Sequence, residues 1–232
     1  MSSSPYNPLG PAHYIPADSD TTLDNPSAKR VAVFFATREG QTQKIAEHIM
    51  AGLHKEGFDV DLHDVRQPFR FDLEQYDAAI LAASVHSGDH EKEMGRFVRE
   101  HRDELSSMPT AFISVTLSEA GAQRADASPS EHAQFVADVD RMMNKFFEDT
   151  QWYPEFAKPV AGALRYTKYN FLLRFIMKRI ARKEGEPTDT SRDYEFTDWK
   201  DLDQFIFEFV PEIRSSRFPA DLSSSRELVS AS

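Results

Sequence analysis

The sequence predicts an α/β protein built on an open parallel sheet with helices on both faces. Three observations carry that expectation. Apolar runs bounded by charge, Val31-Ala32-Val33-Phe34-Phe35-Ala36 and Asp77-Ala78-Ala79-Ile80-Leu81-Ala82-Ala83, have the profile of central strands buried on both sides. They alternate with segments whose apolar residues recur at helical spacing, the first being Ile45, Ile49 and Leu53. The stretches 37–42, 84–89 and 114–118, each after a strand, are rich in small and hydroxyl residues and would open on one edge of the sheet, where such folds bind ligands.

Taken in order, the strand at 31–36 leads through a short polar loop into a helix that Gly57 closes. Phe58 to Val65 alternates apolar with polar, as a strand exposed on one face near a sheet edge does. Residues 67–75, with Pro68, form a connector. The strand at 77–83 is followed by Ser84-Val85-His86-Ser87-Gly88-Asp89, expected as a loop; small residues here leave room for something wide close to the backbone. Glu91 to Leu105 reads as one charged helix with Met94, Phe97, Val98 and His101 on one side. Thr110 to Thr116 is a strand started by Pro109, and Glu119 to Pro129 a polar insertion. Ala133 to Phe147 is helical through Phe135, Val136, Val139, Met142, Met143 and Phe146. Pro159 to Leu164 is the last strand, and Trp199 to Val210 the last helix, capped by Thr197 or Asp198.

A chain of 232 residues holds one sizeable core and is short for two. Residues 1–29 carry Pro5, Pro8, Pro11, Pro16 and Pro26 without a sustained apolar run and read as a disordered tail rather than a signal peptide. Residues 214–232 are Ser-rich and read as a second tail, which leaves one domain over about 30–213. The absence of cysteine excludes disulfides, thiolate nucleophiles and cysteine-held metals or clusters. No stretch approaches the roughly 20 apolar residues that span a bilayer. A net charge of −11 speaks against general binding of nucleic acid.

The loop Thr37-Arg38-Glu39-Gly40-Gln41-Thr42 lies between a buried strand and a helix start, where backbone N–H groups converge and attract a phosphate. Thr37, Gln41 and Thr42 add side-chain donors, and Gly40 lets the backbone approach closely. The loop lacks the Gly-Lys-Ser/Thr ending of a P-loop and the Gly-x-Gly-x-x-Gly of a dinucleotide site. The alternative is an ordinary polar loop capped by Thr42. The pattern resembles the Thr-x-x-Gly-x-Thr loop of the flavodoxins, which holds the phosphate of FMN. That resemblance implies a flavodoxin-like, doubly wound sheet of five parallel strands in the order 2-1-3-4-5.

Several stretches are similar to a narrower family: 35–42, Ala83-Ser84-Val85, 107–112, Gln151-Trp152, Ala161-Gly162-Ala163-Leu164-Arg165-Tyr166 and 194–199. Together they resemble the menaquinone-dependent protoporphyrinogen IX dehydrogenases of bacterial haem synthesis over about residues 31–210. The resemblance implies an oxidoreductase on the inner face of the cell membrane that takes hydrogens from protoporphyrinogen IX and reduces menaquinone. It also implies that Thr37, Arg38, Glu39, Gly40, Gln41 and Thr42 hold the FMN phosphate. Ser84, Val85, His86, Ser87 and Gly88, with Ser114, Val115, Thr116, Leu117 and Ser118, would surround the flavin ring. The second loop lacks the Arg and Tyr of the family, so His86 is the flat side chain it offers. His86 reads as a proton relay or as a plain polar loop residue.

Between the last strand and the last helix, residues 166–183 depart from an ordinary flavodoxin. Leu173, Ile176, Met177 and Ile180 form one apolar face, opposed by Lys168, Arg174, Lys178, Arg179, Arg182 and Lys183 with Phe171, Leu172 and Phe175 interleaved, and no acid interrupts the run. Such a segment suits an anionic membrane surface, the propionates of a porphyrinogen, or packing on the protein body with a solvated basic face. Lys168, Phe171, Arg174, Phe175, Lys178 and Arg182 are the candidate contacts to substrate or membrane. A metal site from His86, Asp89, His90 and Glu93 is disfavoured because Gly88 breaks the helical spacing. A flavodoxin-like electron carrier and an NAD(P)H-dependent quinone reductase stand as alternative functions.

Overall fold

The computed structural model describes residues 28–68, 70–164, 166 and 189–216. The described chain runs β1 (Arg30–Ala36), α1 (Gln41–Lys55), β2 (Asp59–Asp64), β3 (Ala78–His86), β4 (Asp89–His90), α2 (Lys92–Glu100), α3 (Arg102–Leu105), β5 (Thr110–Thr116), α4 (Leu117–Ala122), α5 (Pro129–Thr150), β6 (Phe156–Ala161), β7 (Ala163–Leu164), β8 (Tyr194–Glu195) and α6 (Trp199–Ser215). Parallel pairing sets the order β2-β1-β3-β5-β6, with β4 added antiparallel to β3. This is the flavodoxin-like arrangement expected from the sequence.

The period of two along β1 divides the core. Val31, Val33 and Phe35 face Ile45, Ile49 and Leu53 of α1 and Leu202, Phe205 and Phe209 of α6. Ala32 and Phe34 face Met94, Phe97 and Val98 of α2, Leu105 of α3, and Phe146 of α5. Both faces of the central strands are therefore buried, which is why they read as continuous apolar runs. On β2, at the sheet edge, Val60 is buried while Asp59 and the residues from Asp61 on keep some exposure.

Five boundaries differ from the sequence expectation. β3 does not end at Ala83: Val85 and His86 pair antiparallel with His90 and Asp89, so 84–89 is a hairpin and not an open loop. Its turn uses Ser87 and Gly88, both with positive φ (55° and 87°), the handedness that matches the twist of paired strands. The helix expected over 91–105 breaks at His101, whose φ of −118° leaves helical space. The polar insertion contains α4, started by Thr116, whose hydroxyl accepts the Ser118 N–H at 3.1 Å. The strand expected over 159–164 stops at Ala161; beyond Gly162, β7 turns away to pair with β8. α5 starts earlier than its apolar pattern suggests because Ser128 and Glu131 form a capping box around Pro129.

Candidate functional site

At the carboxyl end of β1 the chain turns through Gly40, which has φ 92° and ψ 1° and precedes the first turn of α1. An L-residue would be strained there. The Gly40 N–H donates to Thr37 Oγ1 at 3.1 Å, which folds the loop back on itself. Gly40, rather than Thr42, is the N-cap; it offers no side-chain acceptor, and the first turn of α1 holds no acid. The donors at this helix start therefore lack the side-chain oxygens that usually satisfy them. Thr42 Oγ1 is buried and has no hydrogen-bond partner among the described residues. A buried hydroxyl left unpaired costs about 1–3 kcal/mol. An orphaned hydroxyl beside uncapped helix amides is a receptor for an anionic oxygen, so the loop fits a phosphate group.

The neighbouring connections complete an open cleft. Thr37, Glu39, Gln41 and Thr42 line it from the first loop, Ser84, Val85 and His86 from β3, Val115, Thr116 and Leu117 from the end of β5, and Gly162 and Ala163 from beyond β6. Gln41 Nε2 donates to Thr197 Oγ1 at 2.9 Å, and that hydroxyl donates to the Ala161 carbonyl at 2.7 Å, fastening α1 to the segment before α6. The cleft lies between strands whose connections run in opposite directions, the switch point of a doubly wound sheet.

One wall is strongly charged. His86 Nε2 lies 3.1 Å from Glu39 Oε2 and 3.1 Å from Glu91 Oε1. Glu91, its side chain only 1 % exposed, also accepts from Arg38 Nε at 3.1 Å and Ser84 Oγ at 3.2 Å. Burial by itself would lower the His86 pKa, but the two carboxylates overcome it and push it up to about 9. Glu91 is pulled below the usual carboxylate range, because contacts to His86 and Arg38 outweigh its desolvation. At neutral pH His86 is thus an imidazolium locked between carboxylates.

Other residues expected around a cofactor are not among those that line the cleft. Arg38 turns to Glu91. Ser87 and Gly88 form the hairpin turn, and Gly88 opens on a separate groove between α2 and α5. Ser114 is buried, with its hydroxyl 2.9 Å from His90 Nε2. Ser118 sits in the first turn of α4. Gly162, Ala163 and Glu91 were not foreseen. The first two follow the last parallel strand and could have been found from that position, whereas Glu91 reads in sequence as one more helix-start acid. Lys168, Phe171, Arg174, Phe175, Lys178 and Arg182 lie outside the described residues. Among the described residues, no group of three His, Asp or Glu is placed to hold a metal ion, and no helix is long and apolar enough to cross a membrane.

Fold and cleft define a flavodoxin-type protein, and residues 32–191 match the flavodoxin domain family. The protoporphyrinogen IX dehydrogenase [quinone] of Escherichia coli K12 is 31% identical over 181 residues, covering 78% of this chain and 94% of the relative. The protein of the same name from Leishmania major is 29% identical over 179 residues, 77% of this chain and 73% of that one. A short-chain flavodoxin associated with a PDU bacterial microcompartment superposes with a TM-score of 0.46 at 16% identity, over 79% of this chain and 97% of that one. The chain belongs to the flavodoxin-domain family of protoporphyrinogen IX dehydrogenases [quinone].

Proposed function

We propose that the protein is an FMN-dependent oxidoreductase of haem synthesis that converts protoporphyrinogen IX to protoporphyrin IX and passes the electrons to a membrane quinone, menaquinone. The observation that carries this reading is the likeness to a dehydrogenase of that name over nearly its whole length, joined to a cleft with an unsatisfied anion receptor at its base. Hydride and electron transfer lie beyond protein side chains, and FMN bound in the cleft supplies them.

The chain's own residues do the rest. The amides of the 37–42 loop, with the hydroxyls of Thr37 and Thr42, hold the phosphate. Ser84, Val85, Val115, Thr116, Leu117, Gly162 and Ala163 form the walls that receive the ring, and small residues there let it lie close to the backbone. His86, fixed between carboxylates, keeps a proton at the cleft wall rather than passing it freely at neutral pH. The cations and aromatics of 166–183 suit both the propionates of the substrate and an anionic membrane surface, where the quinone resides; this supports peripheral association with the inner face of the membrane.

The test is anaerobic mixing of FMN-loaded protein with protoporphyrinogen IX, followed by a menaquinone analogue. Flavin absorbance near its visible maximum should bleach with the porphyrinogen and return with the quinone. Bleaching by NADPH but not by the porphyrinogen would overturn the assignment. Replacing Arg174, Lys178 and Arg182 by Glu should release the protein from anionic vesicles; unchanged co-sedimentation would dismiss the membrane role.

A further inference from the structure

We propose that Arg38, Glu39, His86 and Glu91 form a latch that clamps the phosphate loop to the β3–β4 hairpin, and that retention of FMN depends on this latch being closed. The inference rests on the reading of the 37–42 loop as the phosphate site and adds to it positioning residues that need not touch the phosphate.

The cluster joins two segments that are far apart in sequence and line the same cleft. Arg38 and Glu39 belong to the loop; His86 ends β3, and Glu91 follows β4. Glu91 is the hub. Its carboxylate accepts from Arg38 on one side and from Ser84 and faces His86 on the other, while its own backbone N–H donates to the Ser84 carbonyl at 3.1 Å. Glu39 reaches the same imidazole from the loop. Each half therefore grips the other twice, through Arg38 to Glu91 and through Glu39 to His86.

The charges decide how much this matters. Two cations and two carboxylates compensate one another within the cluster, and Glu91 is almost wholly removed from water. Loss of the charge on His86 would remove the cation that stands between the Glu39 and Glu91 carboxylates. Breaking a buried pair from one side is costly because the remaining charge stays buried. It would also make the wall of a cleft that must admit a phosphate dianion one charge more negative. The next charged neighbours of Glu91 are Asp64 and Arg66 at the end of β2, which pair with each other at 2.7 Å and contribute little net charge, and Glu93 in the first turn of α2.

The experiment is titration of the full-length apoprotein with FMN, followed by fluorescence quenching from pH 7 to pH 9.5. Wild-type affinity should be level near neutrality and fall as the imidazolium, with a pKa of about 9, loses its proton. His86→Gln should bind FMN on the order of tenfold more weakly at pH 7, a coupling of the size seen between neighbouring charges, and show no such fall. Glu39→Gln added to His86→Gln removes one of the two carboxylates that face the imidazole and should recover part of that loss, which a generally damaged fold would not do. Equal affinity of wild type and His86→Gln at pH 7, with a flat wild-type profile, would overturn the latch while leaving the phosphate loop standing. A wild-type protein that takes up no FMN would overturn both.

Discussion

Gln41 and Thr197 are joined by a buried 2.9 Å hydrogen bond across 156 positions of sequence, and the Thr197 hydroxyl continues to the Ala161 carbonyl. This chain of donors fixes the start of α1 against the end of β6, so the phosphate loop and the far wall of the cleft share a common brace. Thr197→Val keeps the shape but removes both hydrogen bonds. It should cost about 1–3 kcal/mol, because buried polar groups lose their partner, and Thr197→Ser should restore most of it. Urea unfolding of the apoprotein checks both.

His90 supplies a pH dependence of the fold. Burial holds its pKa down to about 4, and its Nε2 lies 2.9 Å from Ser114 Oγ. An unfolded chain takes up a proton near the ordinary value of about 6.5, which the folded chain refuses until about pH 4. Stability from this residue is therefore full above pH 6.5 and declines as pH falls towards 4, by on the order of 3 kcal/mol. His90→Gln, which keeps a donor for Ser114, should flatten that decline. Denaturant midpoints at pH 7 and pH 4.5 would show it.

Much of the fold was legible because one physical signal dominated it. The central strands are buried on both faces, so their sequences are apolar without interruption, and the helices between them show their buried stripes. What sequence could not show was set by tertiary pairing. Val85 and His86 carry no pattern that distinguishes a loop from a strand; they are strand because β4 returns to pair with them. Gly162 divides the last strand because the residues beyond it find a partner in Tyr194 and Glu195. In the site, Thr37, Gln41 and Thr42 were visible through loop chemistry. Glu91 was not, because its role arises from three partners brought together by the fold.

The packing of α4 on α5 turns on Gly121. A Cβ there would lie 2.8 Å from two carbons of the Phe135 ring, well inside contact distance. Gly121→Ala should destabilise the protein by about 1–3 kcal/mol through overpacking, exceeding the helix-propensity gain of roughly 1 kcal/mol. Phe135→Leu in the same chain should relieve the clash, so the double variant should lose less than the sum of the two single losses in thermal or urea unfolding.

The phosphate loop makes its own demand on Thr42. Because its hydroxyl has no partner among the described residues, Thr42→Val should leave the apoprotein as stable as before or more so. The same substitution should weaken FMN binding on the order of tenfold, since a charge-assisted hydrogen bond is lost. A variant that unfolds instead would mean that the hydroxyl serves the fold.

The most direct measurement compares FMN with riboflavin, which differs from it by the phosphate, as ligands of the wild-type apoprotein and of Thr42→Val. The loop reading predicts that wild type binds FMN far more tightly than riboflavin and that Thr42→Val narrows the gap by weakening FMN alone. Equal affinity of the wild type for the two flavins would contradict it.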